Sequence, residues 1–274
     1  MSRQKLGQHF LASGKALQRI VAAATGGTKN LAVEIGPGKG ALTQHLLVAF
    51  EKVVAIELDP VLAAFLRDRW RNDPGLEIIE RNALDVRFAS FGEGILVGNL
   101  PYYVSTAIIS NYVREPGRLS QGVFLIQKEV AERITATPGH KEYGYLSVEC
   151  QLLAKAELLF SVPPGAFSPP PRVDSAVIRL TPFAPPEGLD INHFLKFVSG
   201  CFRQKRKTLR NNLAERYTRE QLDTRPEMGQ RAEQLSVDDF LVLYRALNQE
   251  RVLNQSDVAS SPADSSQSEP GSGV

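Results

Sequence analysis

The stretch Leu31-Ala-Val-Glu-Ile-Gly-Pro-Gly-Lys-Gly-Ala41 decides the fold. A short apolar run ends at glycine, as a buried parallel strand does, and a helical pattern then runs from about Gly40 to Phe50. Glycines at such a turn let the backbone approach a ligand closely, and the helix N-terminus beyond offers free N–H groups. A second strand, Val53-Val-Ala-Ile-Glu57, closes on an acid 21 residues after Gly36. A carboxylate there can accept hydrogen bonds from both ribose hydroxyls of an adenosine. Gly36, Gly38 and Ala41 also fit the G-x-G-x-x-[GA] spacing of dinucleotide enzymes, so the signal points to an adenosine compound without saying which. The plainer alternative is a glycine turn that only tightens the strand–helix joint. Turn, strand, helix and acid in this order weigh against it.

Working outward, the alternation of strand and helix extends from residue 13 to 182. Ser13 suits the cap of a helix to about Ala24, and Asp59-Pro60 opens another to about Trp70. Further strands are expected at Leu76–Glu80, Ile95–Gly98, Val123–Gln127, Ala156–Ser161 and Ala176–Leu180. Helices are expected near Thr106–Val113, Lys128–Ala136 and Tyr145–Leu153. This order implies an α/β fold, a mainly parallel Rossmann-like sheet covered by helices on both faces. After Pro182 the strand signal stops. Pro185, Pro186 and Gly188 read as a linker to a small all-helical domain over 183–253, with helices near Ile191–Phe202, Lys207–Arg216 and Val237–Asn248. Residues 254–274 hold seven serines, two prolines, three acids and no Lys or Arg, the composition of a disordered tail.

The whole chain, 274 residues with 43% apolar and 23% charged, is ordinary globular material. Cys150 and Cys201 lie far apart, which excludes a disulfide scaffold and a cysteine-built zinc site and fits a reducing cytoplasm. No run approaches a membrane span and the N-terminus has no apolar signal core, so a cytoplasmic protein is expected. His45, His140 and His193 show no metal-ligand spacing, and no metal is expected.

Asn99-Leu100-Pro101-Tyr102 follows the strand at Ile95–Gly98, at the carboxyl edge where open parallel sheets bind ligands. The chemistry that suits this tetrad is alkylation of an exocyclic amine on a base. Adenine N6 is a poor nucleophile because its lone pair is delocalised into the ring. The Asn99 side-chain oxygen and the Leu100 carbonyl can accept its two N–H bonds, favouring a pyramidal nitrogen with its lone pair aimed at an electrophile. Pro101 fixes the local backbone, and Tyr102 can stack on an extruded base. A polar turn with aromatic packing is the alternative.

Seven motifs in order carry a resemblance over about residues 4 to 250. They are Gly7-Gln-His-Phe-Leu11, Glu34-Ile-Gly-Pro-Gly38, Ile56-Glu-Leu-Asp59, Asn99–Tyr102, Tyr143-Gly-Tyr-Leu-Ser147, Val162–Phe167 with Pro169, Pro171, Val173 and Ser175, and Phe202–Asn212. With them the chain resembles the ribosomal RNA adenine dimethyltransferases, in particular the bacterial small-subunit (16S) group associated with kasugamycin sensitivity. The resemblance implies a class I methyltransferase sheet, S-adenosylmethionine as methyl donor, and two adjacent adenosines near the 3′ end of small-subunit rRNA, each dimethylated on N6. It implies the assembling small subunit as partner, a monomer, and a donor pocket formed by His9, Leu11, Gly36, Gly38, Glu57, Asn82 and Asn99. It also sets Phe167 over the target base opposite Tyr102. On the residues alone, a Phe anchoring its proline-rich loop to the core fits equally well. His9 and Asn82 stand where the family usually has Asn and Asp; Asp85 is the candidate to supply the missing charge at position 82.

Between Arg203 and Arg219 stand seven basic residues and one acid, Glu215. On a helix Arg203, Lys207 and Arg210 would share a face, and with Lys205 and Arg206 they form a candidate RNA-binding stripe beside the alternative of a solvated face. Lys5, Lys15 and Lys39 are further cations placed near the site. Three rivals stay in view: a large-subunit rRNA methyltransferase of the macrolide-resistance type, a non-catalytic RNA-binding assembly factor, and an NAD-dependent oxidoreductase. The last gives no role to Asn99–Tyr102 or to the basic stretch.

Overall fold

The computed structural model describes residues 9–26, 29–115 and 119–259. Elements in chain order are β1 (Phe10–Leu11), α1 (Gly14–Ala24), β2 (Leu31–Ile35), α2 (Thr43–Ala49), β3 (Lys52–Glu57), α3 (Pro60–Arg69), β4 (Leu76–Glu80) and β5 (Ile95–Asn99). They continue with α4 (Ser105–Arg114), β6 (Gln121–Gln127), α5 (Lys128–Thr135), α6 (Tyr145–Leu153), β7 (Ala154–Val162), β8 (Phe167–Ser168) and β9 (Ser175–Pro182). The C-terminal part holds α7 (Ile191–Cys201), α8 (Leu209–Leu213), α9 (Arg219–Asp223) and α10 (Val237–Ala259).

Seven strands form one sheet in the order β4-β3-β2-β5-β6-β9-β7. The five from β4 to β6 are parallel, and β9 lies antiparallel between β6 and β7. From the central β2 the chain builds first towards β4, then returns to place β5 on the other side. The carboxyl ends of β2 and β5 therefore flank the crevice where an open α/β sheet accepts a ligand. Alternate residues serve opposite faces. Ala32, Val53, Ile95, Val97, Val123 and Leu125 pack with α1 and α2, while Val33, Val54, Leu96, Phe124 and Ile126 pack with α4, α5 and α6. Both faces being covered, the strands read as continuous apolar runs.

Local caps match the sequence. The Ser13 hydroxyl accepts from Ala16 N, and the Asp59 carboxylate accepts from Val61 N. The C-terminal helices continue the core: Phe194, Phe197 and Val198 of α7 and Phe240 and Leu243 of α10 join the cluster that holds Val148 and Leu152 of α6.

Three expectations need correction. The helix expected over Lys207–Arg216 is only Leu209–Leu213, and residues 203–207 are turns and bends. Buried Asn212 imposes this: its Nδ2 donates to the carbonyls of Cys201 (2.7 Å) and Gln204 (3.2 Å), and its Oδ1 accepts from Gln204 N. Arg203, Lys207 and Arg210 therefore share no helix face. The tail does not begin at 254, because α10 runs to Ala259; no Pro or Gly intervenes, and propagating a formed helix costs little. Its remainder, 260–274, lies outside the described residues, as do Lys5, Gly7 and Gln8. Finally, the short strands β1 and β8, which pair antiparallel, carry no periodic signal and were not foreseen. Among the described residues no helix is long and apolar enough to cross a membrane.

Candidate active site

A cavity of about 250 Å³ opens at the crevice between the ends of β2 and β5. Its walls come mainly from five segments: His9 and Phe10, the turn with Gly36 and Gly38, Glu57 to Asp59, Arg81 to Leu84, and Asn99 to Val104. Of the residues singled out from sequence, His9, Gly36, Gly38, Glu57, Asn82, Asn99, Leu100, Pro101 and Tyr102 meet here.

The glycine turn is built for close approach. Gly38 has φ +59°, and a Cβ there would stand 2.8 Å from the Phe10 ring. Gly40, at φ +80°, has Trp70 against it where a Cβ would be. Glu57, buried at the end of β3, ties this turn to the next: its carboxylate accepts from Gly38 N (3.1 Å) and from Asp59 N (2.9 Å). Each oxygen keeps lone-pair capacity for a hydroxyl in the cavity. Asn82 caps the short turn after β4, its Oδ1 accepting from Leu84 N (3.1 Å). Asp85 is not among the residues lining the cavity.

Across the cavity, Asn99 Nδ2 donates to the His9 carbonyl (3.0 Å). That bond turns the other end of the amide, Oδ1, free to accept. The Leu100 N–H is spent on Leu125 O (3.0 Å), which extends the β5–β6 ladder and leaves the Leu100 carbonyl as a second acceptor beside Asn99. The Tyr102 hydroxyl shares a 2.6 Å hydrogen bond with the buried Ser175 hydroxyl, and burial raises its pKa. The ring is thereby held at its tip. The His9 ring lies 5.8 Å from it at 30°, and His9 Nδ1 donates to the Pro169 carbonyl (2.9 Å).

Leu11 and Phe167 stand apart from the cavity. They are cross-strand partners in the β1–β8 ribbon, each 4% exposed, and they pack into the apolar cluster with Val162 and Val177. Phe167 is buried in that cluster and is not among the residues lining the cavity. Two residues not singled out from sequence belong to the site. Arg81 and Tyr103 line its mouth, Tyr103 at 64% exposure. Glu34, quoted only within its motif, is a buried acid at the end of β2; the Thr43 hydroxyl donates to it at 2.6 Å. Burial first, and then the charge of Glu57, push its pKa up to about 8. An acid inside an apolar strand was the available signal.

Two of the seven cations in the basic stretch are ion-paired, and a third donates to a backbone carbonyl. Arg203 pairs with Glu215, Arg210 pairs with Asp223 (2.6 Å), and Lys205 Nζ donates to the Lys141 carbonyl (2.6 Å). Arg206 and Lys207 are exposed and have no acidic partner among the described residues. Nor do those residues include a His/Cys/Asp/Glu group able to hold a metal.

A Rossmann-like sheet with an adenosine-type pocket and a tetrad of acceptors and aromatic ring at its switch point defines a methyltransferase of the class I type. The comparisons narrow this. The family described as ribosomal RNA adenine dimethylase matches residues 1–249, and the chain belongs to it. It is 42% identical over 257 residues to the ribosomal RNA small subunit methyltransferase A of Acidobacterium capsulatum, covering 89% of this chain and 91% of that one. The protein of the same name from Xanthomonas campestris pv. campestris (strain 8004) is 43% identical, covering 88% and 95%. Among solved structures, a dimethyladenosine transferase from Plasmodium falciparum superposes with TM-score 0.76 at 26% identity, covering 89% of this chain and 98% of that one. The 23S rRNA methyltransferase ErmE superposes with TM-score 0.71 at 27% identity, covering 88% and 100%.

Proposed function

We propose that the protein transfers methyl groups from S-adenosylmethionine to N6 of two adjacent adenosines near the 3′ end of small-subunit rRNA, dimethylating each. The carrying observation is the pair of acceptors at the cavity, Asn99 Oδ1 and the Leu100 carbonyl, set beside the tethered ring of Tyr102. Glu57 holds the ribose of the donor, the Gly36–Gly40 turn receives its amino-acid part, and Asn82 meets its adenine. An extruded adenine stacks on Tyr102 and gives its two N–H bonds to the acceptors, which pyramidalises N6. The nitrogen lone pair forms the new C–N bond as the C–S bond breaks, with its electron pair left on sulfur. The proton then leaves N6 to water, so no strongly basic side chain is needed. Catalysis comes from positioning and from fixed dipoles.

The higher identity to proteins named for the small subunit favours that substrate over the large subunit. The helical segment from 183 to 253 forms the RNA-contacting unit, with Arg206 and Lys207 presented first and Arg203, Lys205 and Arg210 available on exchange of their partners. The partner is the assembling subunit in the cytoplasm, approached by a monomer.

The test is transfer of labelled methyl from S-adenosylmethionine to small subunits lacking the modification, by wild type and Asn99→Ala, followed by digestion of the RNA. Dimethyladenosine that falls about a hundredfold or more in the variant, with melting temperature and subunit binding kept, is the expected result. Wild type that binds subunits and transfers nothing would instead leave an assembly factor.

A further inference from the structure

The β1–β8 ribbon that borders the cavity at His9 and Phe10 leads, at its other end, to a second groove. There Ala12 N and Ser13 N both donate to the Ala166 carbonyl. The groove, about 390 Å³, is bordered by Ser13, Lys15, Arg19, Phe160, Ser161 and Gly165 among others. Because β7 and β6 both run antiparallel to β9, β7 ends on the same edge of the sheet as β2 and β5. The groove at the end of β7 thus shares an edge with the cavity. Four residues of chain, at most about 14 Å, separate His9 from Ser13.

Its charge is of one sign. Lys15 and Arg19 are exposed, one turn apart on α1, with no acid among the lining residues and no carboxylate partner among the described residues. The Arg19 guanidinium lies 3.7 Å over the Phe160 ring. Phe160 follows an irregularity in the β7 register after Leu158 and packs on the α1 side of the sheet. An Arg stacked this way keeps its donors in one fixed plane, the arrangement that suits phosphate oxygens. An unpaired cationic groove on the catalytic edge matches a polyanion that must continue beyond the cavity in both directions.

We infer that this groove holds the RNA backbone a few nucleotides from the target adenosine, Lys15 and Arg19 each meeting a phosphate. The inference rests on RNA being the substrate. It makes the catalytic face, and not only the C-terminal helices, part of the RNA footprint.

The experiment compares wild type, Lys15→Gln and Lys15→Gln/Arg19→Gln for KM on unmodified subunits and for direct binding to protein-free small-subunit rRNA, across salt. Each phosphate contact on a single strand carries a salt slope of about 0.7, which amounts to about fivefold at 0.1 M relative to 1 M. The single variant should lose about fivefold and the double about 25-fold in both readouts, with kcat, donor affinity and melting temperature unchanged. Unchanged binding and slope would overturn the inference. A loss on subunits with none on protein-free RNA would also overturn it, assigning the groove to an acidic ribosomal protein. A wild type that transfers no methyl would sink the proposed function, while RNA binding is still read directly.

Discussion

Glu34, next in the chain to the cavity-lining Ile35, offers the sharpest physical test of the structure. It is 1% exposed at the end of β2, and its carboxyl has moved from 4.5 to about 8, mainly through burial. Between those pH values the folded protein holds a proton that the unfolded chain has released. Stability therefore falls as pH rises through that window and levels off above about 8. The full gap corresponds to about 5 kcal/mol as an upper bound. Glu34→Gln removes the titration while its amide oxygen still accepts from the Thr43 hydroxyl. Wild type and variant should melt together near pH 5 and diverge as pH rises towards 9. At about 2–4 °C per kcal/mol, the variant should then be higher by at most roughly 10–20 °C. All other titrating groups are common to both proteins and cancel in the difference. Melting curves at matched ionic strength that stay parallel from pH 5 to 9 would refute the reasoning.

Asn82→Asp restores a charged acceptor at the donor pocket. A charge-assisted hydrogen bond exceeds a neutral one by about 1 kcal/mol, so donor affinity should rise about fivefold by calorimetric titration, and unchanged affinity would count against the placement of Asn82. Glu215→Gln frees Arg203 from its ion pair. RNA affinity at 0.1 M salt should rise by about fivefold and the salt slope should steepen by about 0.7; identical slopes would show that Arg203 meets no phosphate.

What could be read from the chain was local. The glycine turn, Glu57, the caps at Ser13 and Asp59, and the Asn99–Tyr102 tetrad each declare themselves in a few contiguous residues. Most strand and helix positions follow from periodicity for the same reason. What failed to show depends on contacts between distant segments. That β9 slips between β6 and β7 is a matter of pairing partners, to which the apolar run of Ser175–Pro182 is indifferent. A helix is expected over Lys207–Arg216, and Arg203, Lys207 and Arg210 have the spacing of one helix face. Buried Asn212 overrides that spacing by binding Cys201 and Gln204 across the turn. Glu34 had one local signal, an acid inside the apolar run Leu31–Ile35, but its raised pKa depends on burial by segments packed over the strand.

Phe167 shows how the site depends on packing outside it. Two roles are compatible with its sequence, a lid on the base and an anchor for a loop, and its burial beside Leu11 suits the anchor. Opposite Leu11, it pairs β8 with β1, and His9, immediately before β1, supplies the carbonyl that orients Asn99. The two roles separate under Phe167→Leu, which keeps an apolar anchor and removes the aromatic face. An anchor predicts a loss of about 1–2 kcal/mol in stability with kcat near wild type, since Leu still fills most of the space. A base-stacking role predicts the reverse: stability nearly kept and kcat down by tenfold or more, because stacking on an aromatic ring is worth about 1–3 kcal/mol per base. Denaturant unfolding and single-turnover methyl transfer on the same preparation decide between them. A large kcat loss without a stability loss would mean that the ribbon opens during the reaction and turns Phe167 towards the base.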